Sequence, residues 1–156
     1  MFAWKYARSK DAFRDGRNEY YVSGLIWHAP WAYSSDRRAE LNEAAWGGGF
    51  GRSVVDTNGN THGIYALVFR ASHFKPGYHA GYLWTTYWSL HARLQVGLGY
   101  TALFFVRPDL GYDVPTPAVL PVATLRYEKF ELMGAWVPSF GSRGGNVGYL
   151  AGRFNY

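Results

Sequence analysis

His28 is the one imidazole in the strand-like stretch Tyr20 to Tyr33, YYVSGLIWHAPWAY, close to where the alternation gives way to the polar run SSDRRAELNE. An imidazole titrates near neutrality, so at the mouth of a narrow enclosure it suits proton transfer. His28 shares its alternation set with Gly24 and Ile26, opposite Leu25, Trp27 and Trp31, and points inward if the large rings point out. A histidine that satisfies a structural hydrogen bond is the competing reading, and the two stand side by side. Ser72, in FRASHFKPGY, is the second candidate, because a hydroxyl and a base act together when they lie within hydrogen-bond reach. Taken alone it is an ordinary loop serine; what raises it is an expected position on the same rim as His28. No Asp or Glu adjoins either residue, so a Ser-His-Asp triad is not supported. His62, His73, His79 and His91 lack metal-ligand spacing. The run Trp46-Gly-Gly-Gly-Phe-Gly51 lacks the Lys-Ser/Thr ending and following helix of a phosphate loop. Its glycines suit a strand that bends or leaves room for a ligand.

The elements that hold these residues follow from composition and periodicity. The chain has 156 residues, 19% of them aromatic, only 17% charged, and 19 glycines. That length is most simply one domain, and that density of Tyr and Trp suits a membrane interface. No window is apolar enough for a spanning helix, so any crossing is by strands. There are no cysteines, which excludes disulfides and thiolate chemistry. The formal charge of +5 favours a phosphate-bearing partner such as anionic lipid or lipopolysaccharide. Nucleic acid is not expected, since no basic run is interleaved with aromatics on a known module. The opening MFAWKYARSK lacks the apolar core of a signal peptide, and a mature chain reads the same way.

Residues 2–15 suit a short amphipathic helix, with Phe2, Tyr6 and Phe13 on one face and Lys5, Arg8, Lys10 and Arg14 elsewhere. It either lies on anionic lipid or packs over a barrel end. Strand-like runs follow near 20–33, 46–56, 61–70, 79–88, 93–106, 118–127, 130–138 and 146–156. In the fifth, Leu94, Val96, Leu98, Tyr100, Ala102 and Phe104 form the apolar face, and Gln95, Gly97, Gly99 and Thr101 the other. The expected fold is all-β: an eight-stranded antiparallel transmembrane barrel (19–156) after an N-terminal helix (1–18). Short connections near Asn58-Gly59, Leu90-His91 and Glu128-Lys129 alternate with long ones at 34–45, 71–78, 107–117 and 139–145. That places both termini at the short-turn end, with His28 and the Ser72 loop opposite. Pro121 and Pro138, read inside strands, each remove a ladder hydrogen bond and open the wall locally. A soluble lipocalin-like binder and a non-enzymatic OmpX-like surface barrel are the alternatives.

The segments IWHAPWAY, WGGGFGRSVVDTNGNTHGIYALVFRAS, AGYLW, VGLGYTA, PTPAVLPVA and WVPSF…GNV resemble the PagP family of lipid A palmitoyltransferases, in order, over nearly all of residues 20–156. The resemblance implies a barrel of the Gram-negative outer membrane that moves a palmitoyl chain from the sn-1 position of a phospholipid to lipid A. It implies a monomer and no cofactor or metal. The family's catalytic histidine falls on His28 and its serine on Ser72. Tyr21 and Asp56 match a barrel tyrosine and an aspartate at the end of the second strand, and Pro121 and Pro138 match prolines flanking a lateral opening. Three positions depart from the pattern. Ala71 replaces the aspartate before the serine, leaving Asp36 or Asp109 as substitutes. Leu83 replaces the glycine at the floor of the acyl pocket, a change that fills volume and shortens the expected chain. Ser23 replaces a proline of the first-strand opening. Arg37, Arg38 and Arg107 are candidate contacts for lipid A phosphates. With water as the acceptor the same site is a phospholipase.

Overall fold

The computed structural model describes residues 2–28, 46–70, 76–107, 112–138 and 147–155. A helix, α1 (Phe2–Asp15), leads into eight strands: β1 (Arg17–His28), β2 (Gly47–Val55), β3 (Thr61–Arg70), β4 (Pro76–His91), β5 (Leu94–Arg107), β6 (Tyr112–Tyr127), β7 (Phe130–Val137) and β8 (Val147–Asn155). Each strand pairs with the next, antiparallel, and β1 pairs with β8 to close the barrel. The expected helix and all eight expected strands are present.

Alternation decides which residues line the lumen. On β5, Leu98 and Phe104 are exposed while Thr101 and Leu103 are buried. On β1, Leu25 and Trp27 are exposed and Ile26 is buried. Phe50, Val68, Trp88, Val119, Leu132 and Phe154 extend the outer apolar surface around the wall. Inside, Glu19, Glu131 and Arg153 are fully covered. Rings and aliphatic chains outward with charge inward inverts the arrangement of a water-soluble domain, and it suits a lipid surround. No described helix is long and apolar enough to cross a membrane.

Several boundaries differ from the periodicity. β4 and β6 begin at Pro76 and Tyr112, inside runs read as loop. The β4–β5 turn lies at Ala92-Arg93, because His91 still pairs with Leu94 past an irregularity at Ser89. Pro138 sits half-buried just after β7 and not within a strand. On α1, among the side chains described, Ala12 is covered and Phe13 is 66% exposed, so Phe13 does not face the barrel. The helix lies against β2 and β3. Arg52 of β2 fixes its end by donating to the carbonyls of Phe13 and Gly16, which the last helical turn leaves open.

Beneath α1, on the outer side of β3, His62 is completely covered. Its Nε2 lies 3.0 Å from Asp56 Oδ2, and its Nδ1 lies 2.6 Å from the Tyr82 hydroxyl. Burial would raise the Asp56 carboxyl, but hydrogen bonds from His62, from the Asn60 side chain and from the backbone N–H groups of Asn60 and Asn58 lower it to about 2. The folded state therefore prefers the ionised form. This contribution is complete above the usual Asp value of 3.8 and is lost as pH falls through about 2. Thermal unfolding of the refolded barrel in detergent should lose stability across that acid window. Asp56→Asn should be less stable near neutrality and lack this part of the acid limb. An identical acid profile in the two proteins would refute the assignment.

Candidate functional site

β1 carries the chain up to His28, whose backbone pairs with Val147 at the end of the barrel opposite the short turns. The β1–β2, β3–β4, β5–β6 and β7–β8 connections all fall at that end. Ser72 belongs to the second of them. Ser72, Asp36 and Asp109 lie outside the described residues, as do Ala71, Arg37 and Arg38.

The wall opens next to this rim. Among the described residues, β6 pairs with β5 up to Tyr112, yet its ladder to β7 runs only from Tyr127 to Val122. The next pair in that register would be Pro121 with Trp136, and proline has no N–H to give. Pro117 and Pro121 share one alternation set, so the donors they lack point to one side. The ladder to β5 runs through both, opposite Phe104 and Tyr100, which identifies that side as the one facing β7. A side-open cleft of about 650 Å³ occupies this place, lined by residues that include Trp27, Pro121, Val122, Ala135, Trp136 and Tyr149. On the other flank, among the described residues, β1 pairs with β2 as far as Ser23 opposite Gly47.

Inward of the cleft the lumen is apolar. Tyr21, Tyr65, Leu67, Leu83 and Val122 form one buried cluster, with Met133 and Ala135 packed against it. Ile26 and Phe69 form a second, with Val147 and Tyr149. Thus Tyr21 and Leu83, singled out from sequence, do share one wall of the interior, and Leu83 is 0% exposed. The glycines of β2 let it lie close to the β3 backbone, for Cβ atoms added at Gly47, Gly49 and Gly51 would collide with the carbonyl oxygens of Val68, Ala66 and Ile64. A Cβ at Gly51 would stand 2.9 Å from the Tyr65 Cβ and 3.1 Å from the Tyr21 ring, and those two rings lie 5.5 Å apart.

Below Leu83 the lumen becomes charged. Arg153 is 0% exposed and reaches Glu19 at 3.5 Å, the Tyr87 hydroxyl at 2.9 Å, and Glu131. Arg126 adds a 2.9 Å bond to Glu131 and lies over the Tyr87 ring. Tyr21 donates to Glu19 at 2.8 Å, and Ser53 also bonds that carboxylate. Two carboxylates thus meet two guanidiniums, and buried charge of this kind persists only when paired and hydrogen-bonded. The network closes the short-turn half of the barrel, and the two apolar clusters lie between it and the rim.

An apolar interior, charged below and flanked by a side-open cleft, suits a long apolar chain from a surrounding lipid layer. The sequence model of the family described as antimicrobial peptide resistance and lipid A acylation protein PagP matches residues 8–153. The chain belongs to the PagP family. It is similar to the lipid A acyltransferase PagP of Legionella longbeachae, with 35% identity over 151 residues that cover 96% of this chain and 65% of that protein. It therefore spans a little under two thirds of that relative. The PagP of Legionella pneumophila is 38% identical over 154 residues, covering 95% and 79% of the two chains. The PagP of Bordetella pertussis is 35% identical over 149 residues, covering 96% and 81%.

Sequence reasoning missed Glu19, Arg126, Glu131, Arg153 and Tyr87 of this chain's polar floor. A signal was present. Glu19 shares the alternation set of Tyr21, and charges at Glu131 and Arg153 interrupt otherwise apolar runs. A charge on the inward set of a lipid-facing strand points to a partner across the lumen.

Proposed function

We propose that the protein transfers an acyl chain, palmitoyl by family resemblance, from the sn-1 position of a phospholipid to a hydroxyl of lipid A. The setting is the Gram-negative outer membrane, and a single barrel suffices. The observation that carries the reading is the apolar, side-open cleft at the seam between β6 and β7, at the end where β1 delivers His28. A phospholipid chain reaches such a cleft sideways, past Pro121, Trp136 and the neighbouring Pro138, without leaving the membrane.

In this reaction His28 acts as general base. It takes the proton of the accepting hydroxyl as that oxygen attacks the ester carbonyl. The tetrahedral oxyanion then collapses, the sn-1 glycerol oxygen leaves, and it recovers the proton from the imidazolium. Lysophospholipid and acylated lipid A are the products, and no cofactor takes part. Ser72 orients the imidazole or donates to the oxyanion. Asp36 or Asp109 supplies the supporting carboxylate that Ala71 does not. Leu83 and Tyr21 belong to the apolar lumen toward which the acyl chain points.

The test is mass spectrometry of the refolded protein in detergent, given lipid A and phosphatidylcholines with different sn-1 and sn-2 chains. The expected products are lipid A heavier by the sn-1 acyl group and the matching lysophospholipid. Free fatty acid with lysophospholipid alone would make the protein a phospholipase. No turnover by a folded barrel would favour a non-enzymatic surface protein.

A further inference from the structure

The two apolar clusters of the lumen are not continuous. His79 stands between them on β4, with its ring 5.7 Å from Tyr65 of the deeper cluster and 5.4 Å from Phe69 of the outer one. Across the barrel it meets Tyr149 of β8 at 5.8 Å, and Phe69 also meets Tyr149 at 6.1 Å. Three rings from β3, β4 and β8 therefore touch one another in a closed triangle that bridges the lumen. The two His79 contacts in it are edge-on, at 83° and 89°, the geometry in which rings interlock instead of sliding. Phe69 is braced from behind. Its ring lies where a Cβ on Gly77 would be, at 2.6 Å, so only glycine there lets the ring reach the wall. Tyr149 also lines the lateral cleft, which brings that cleft to the edge of the ring layer.

We propose that the Phe69–His79–Tyr149 layer, and not Leu83, stops the acyl chain and sets the length this protein selects. This inference rests on the acyltransferase reading above, because it assigns the depth of that site. Leu83 lies four residues below His79 on β4, about 13 Å along the strand and about 9 Å along a barrel axis at 45° tilt. An extended chain crosses that distance in about seven carbons. With the layer closed, a donor chain ends above the rings, and shorter chains are selected than a chamber reaching Leu83 would take.

The experiment uses phosphatidylcholines whose sn-1 chains of graded length carry a terminal diazirine, added to the refolded full chain in detergent. Illumination marks the residues at the chain end, and peptide mass spectrometry locates them whether or not the chain is transferred. The expected label falls on Phe69, His79 or Tyr149. In His79→Ala it moves down to Leu83 and Val122, and the preferred donor lengthens by up to about seven carbons. His79→Ala/Leu83→Gly should lengthen it further. Tyr149→Ala should reproduce the shift if the His79 variant does not refold, with folding checked by gel migration before and after heating. Label on Leu83 or Val122 in the unmodified protein, or a folded His79→Ala barrel with unshifted label and chain length, would overturn the proposal. Acylated lipid A is measured in the same samples. Label at the ring layer without transfer refutes only the acyltransferase reading, and transfer with label at Leu83 refutes only the stop.

Discussion

Replacing His28 with alanine or asparagine is expected to lower acyl transfer at least about a hundredfold, the low end of what a positioned general base supplies. The effect should lie in kcat, with KM for the donor nearly unchanged, because in the proposed mechanism the imidazole handles the proton and does not hold the chain. The barrel should remain intact, since β1 meets β8 through main-chain pairing up to the His28–Val147 pair, and that pairing does not depend on the side chain. Gel migration before and after heating checks the fold, and mass spectrometry of the two products checks the chemistry. A folded variant that transfers at the parent rate would remove His28 from the mechanism. Ser72→Ala separates the two roles given to the serine. Loss of an oxyanion donor costs about 10²- to 10³-fold in kcat, whereas loss of an orienting contact costs less.

The second large effect concerns the charged floor. Arg153→Met leaves the Glu19 carboxylate without a cation and Glu131 with only Arg126, in a part of the lumen that water does not reach. Removing one partner of a buried pair costs about 3–5 kcal/mol, because the charge left behind is stranded. Urea unfolding of the refolded barrel should register that loss. The triple change Glu19→Gln/Glu131→Gln/Arg153→Met should recover most of it, since neutralising every member avoids the stranded charge. A single Arg153→Met barrel that unfolds at the parent urea concentration would show that the network contributes nothing to stability.

Period-two alternation was enough to read the barrel, because every strand separates a lipid side from a lumen side, and the separation is strong in β5 and β1. It failed where proline obscured it. Pro115 and Pro117 made 107–117 look like loop, yet β6 begins at Tyr112 and pairs with β5 through Pro117, whose missing donor faces away from that ladder. Alternation also identifies a face without identifying what lies across the lumen. Glu19 and Arg153 are 134 positions apart and become neighbours only because the barrel closes. The same holds for Phe69, His79 and Tyr149, which come from three strands. Phe13 shows the opposite failure: helical spacing grouped it with apolar residues, but the small Ala12 is what allows α1 to approach β2 and β3. For the candidate site, the sequence located Tyr21 and Leu83 on the interior wall, and it placed Pro121 where the β6–β7 ladder ends.

The floor network has a bearing on assembly order. Its members come from β1, β4, β6, β7 and β8, and Arg153 lies two positions from the last residue of β8. In register, Arg153 stands opposite Glu131 on one neighbour and Tyr21 on the other. Slipping β8 by one residue would turn every side chain of that strand to the other face, sending Arg153 into lipid and Phe154 among the carboxylates. An arginine on the lipid face costs up to about 2–4 kcal/mol depending on depth, before counting the two acids it abandons. The closing strand thus carries its own proofreading mark: a barrel sealed in the wrong frame is penalised at once, by the last charge to be threaded into place.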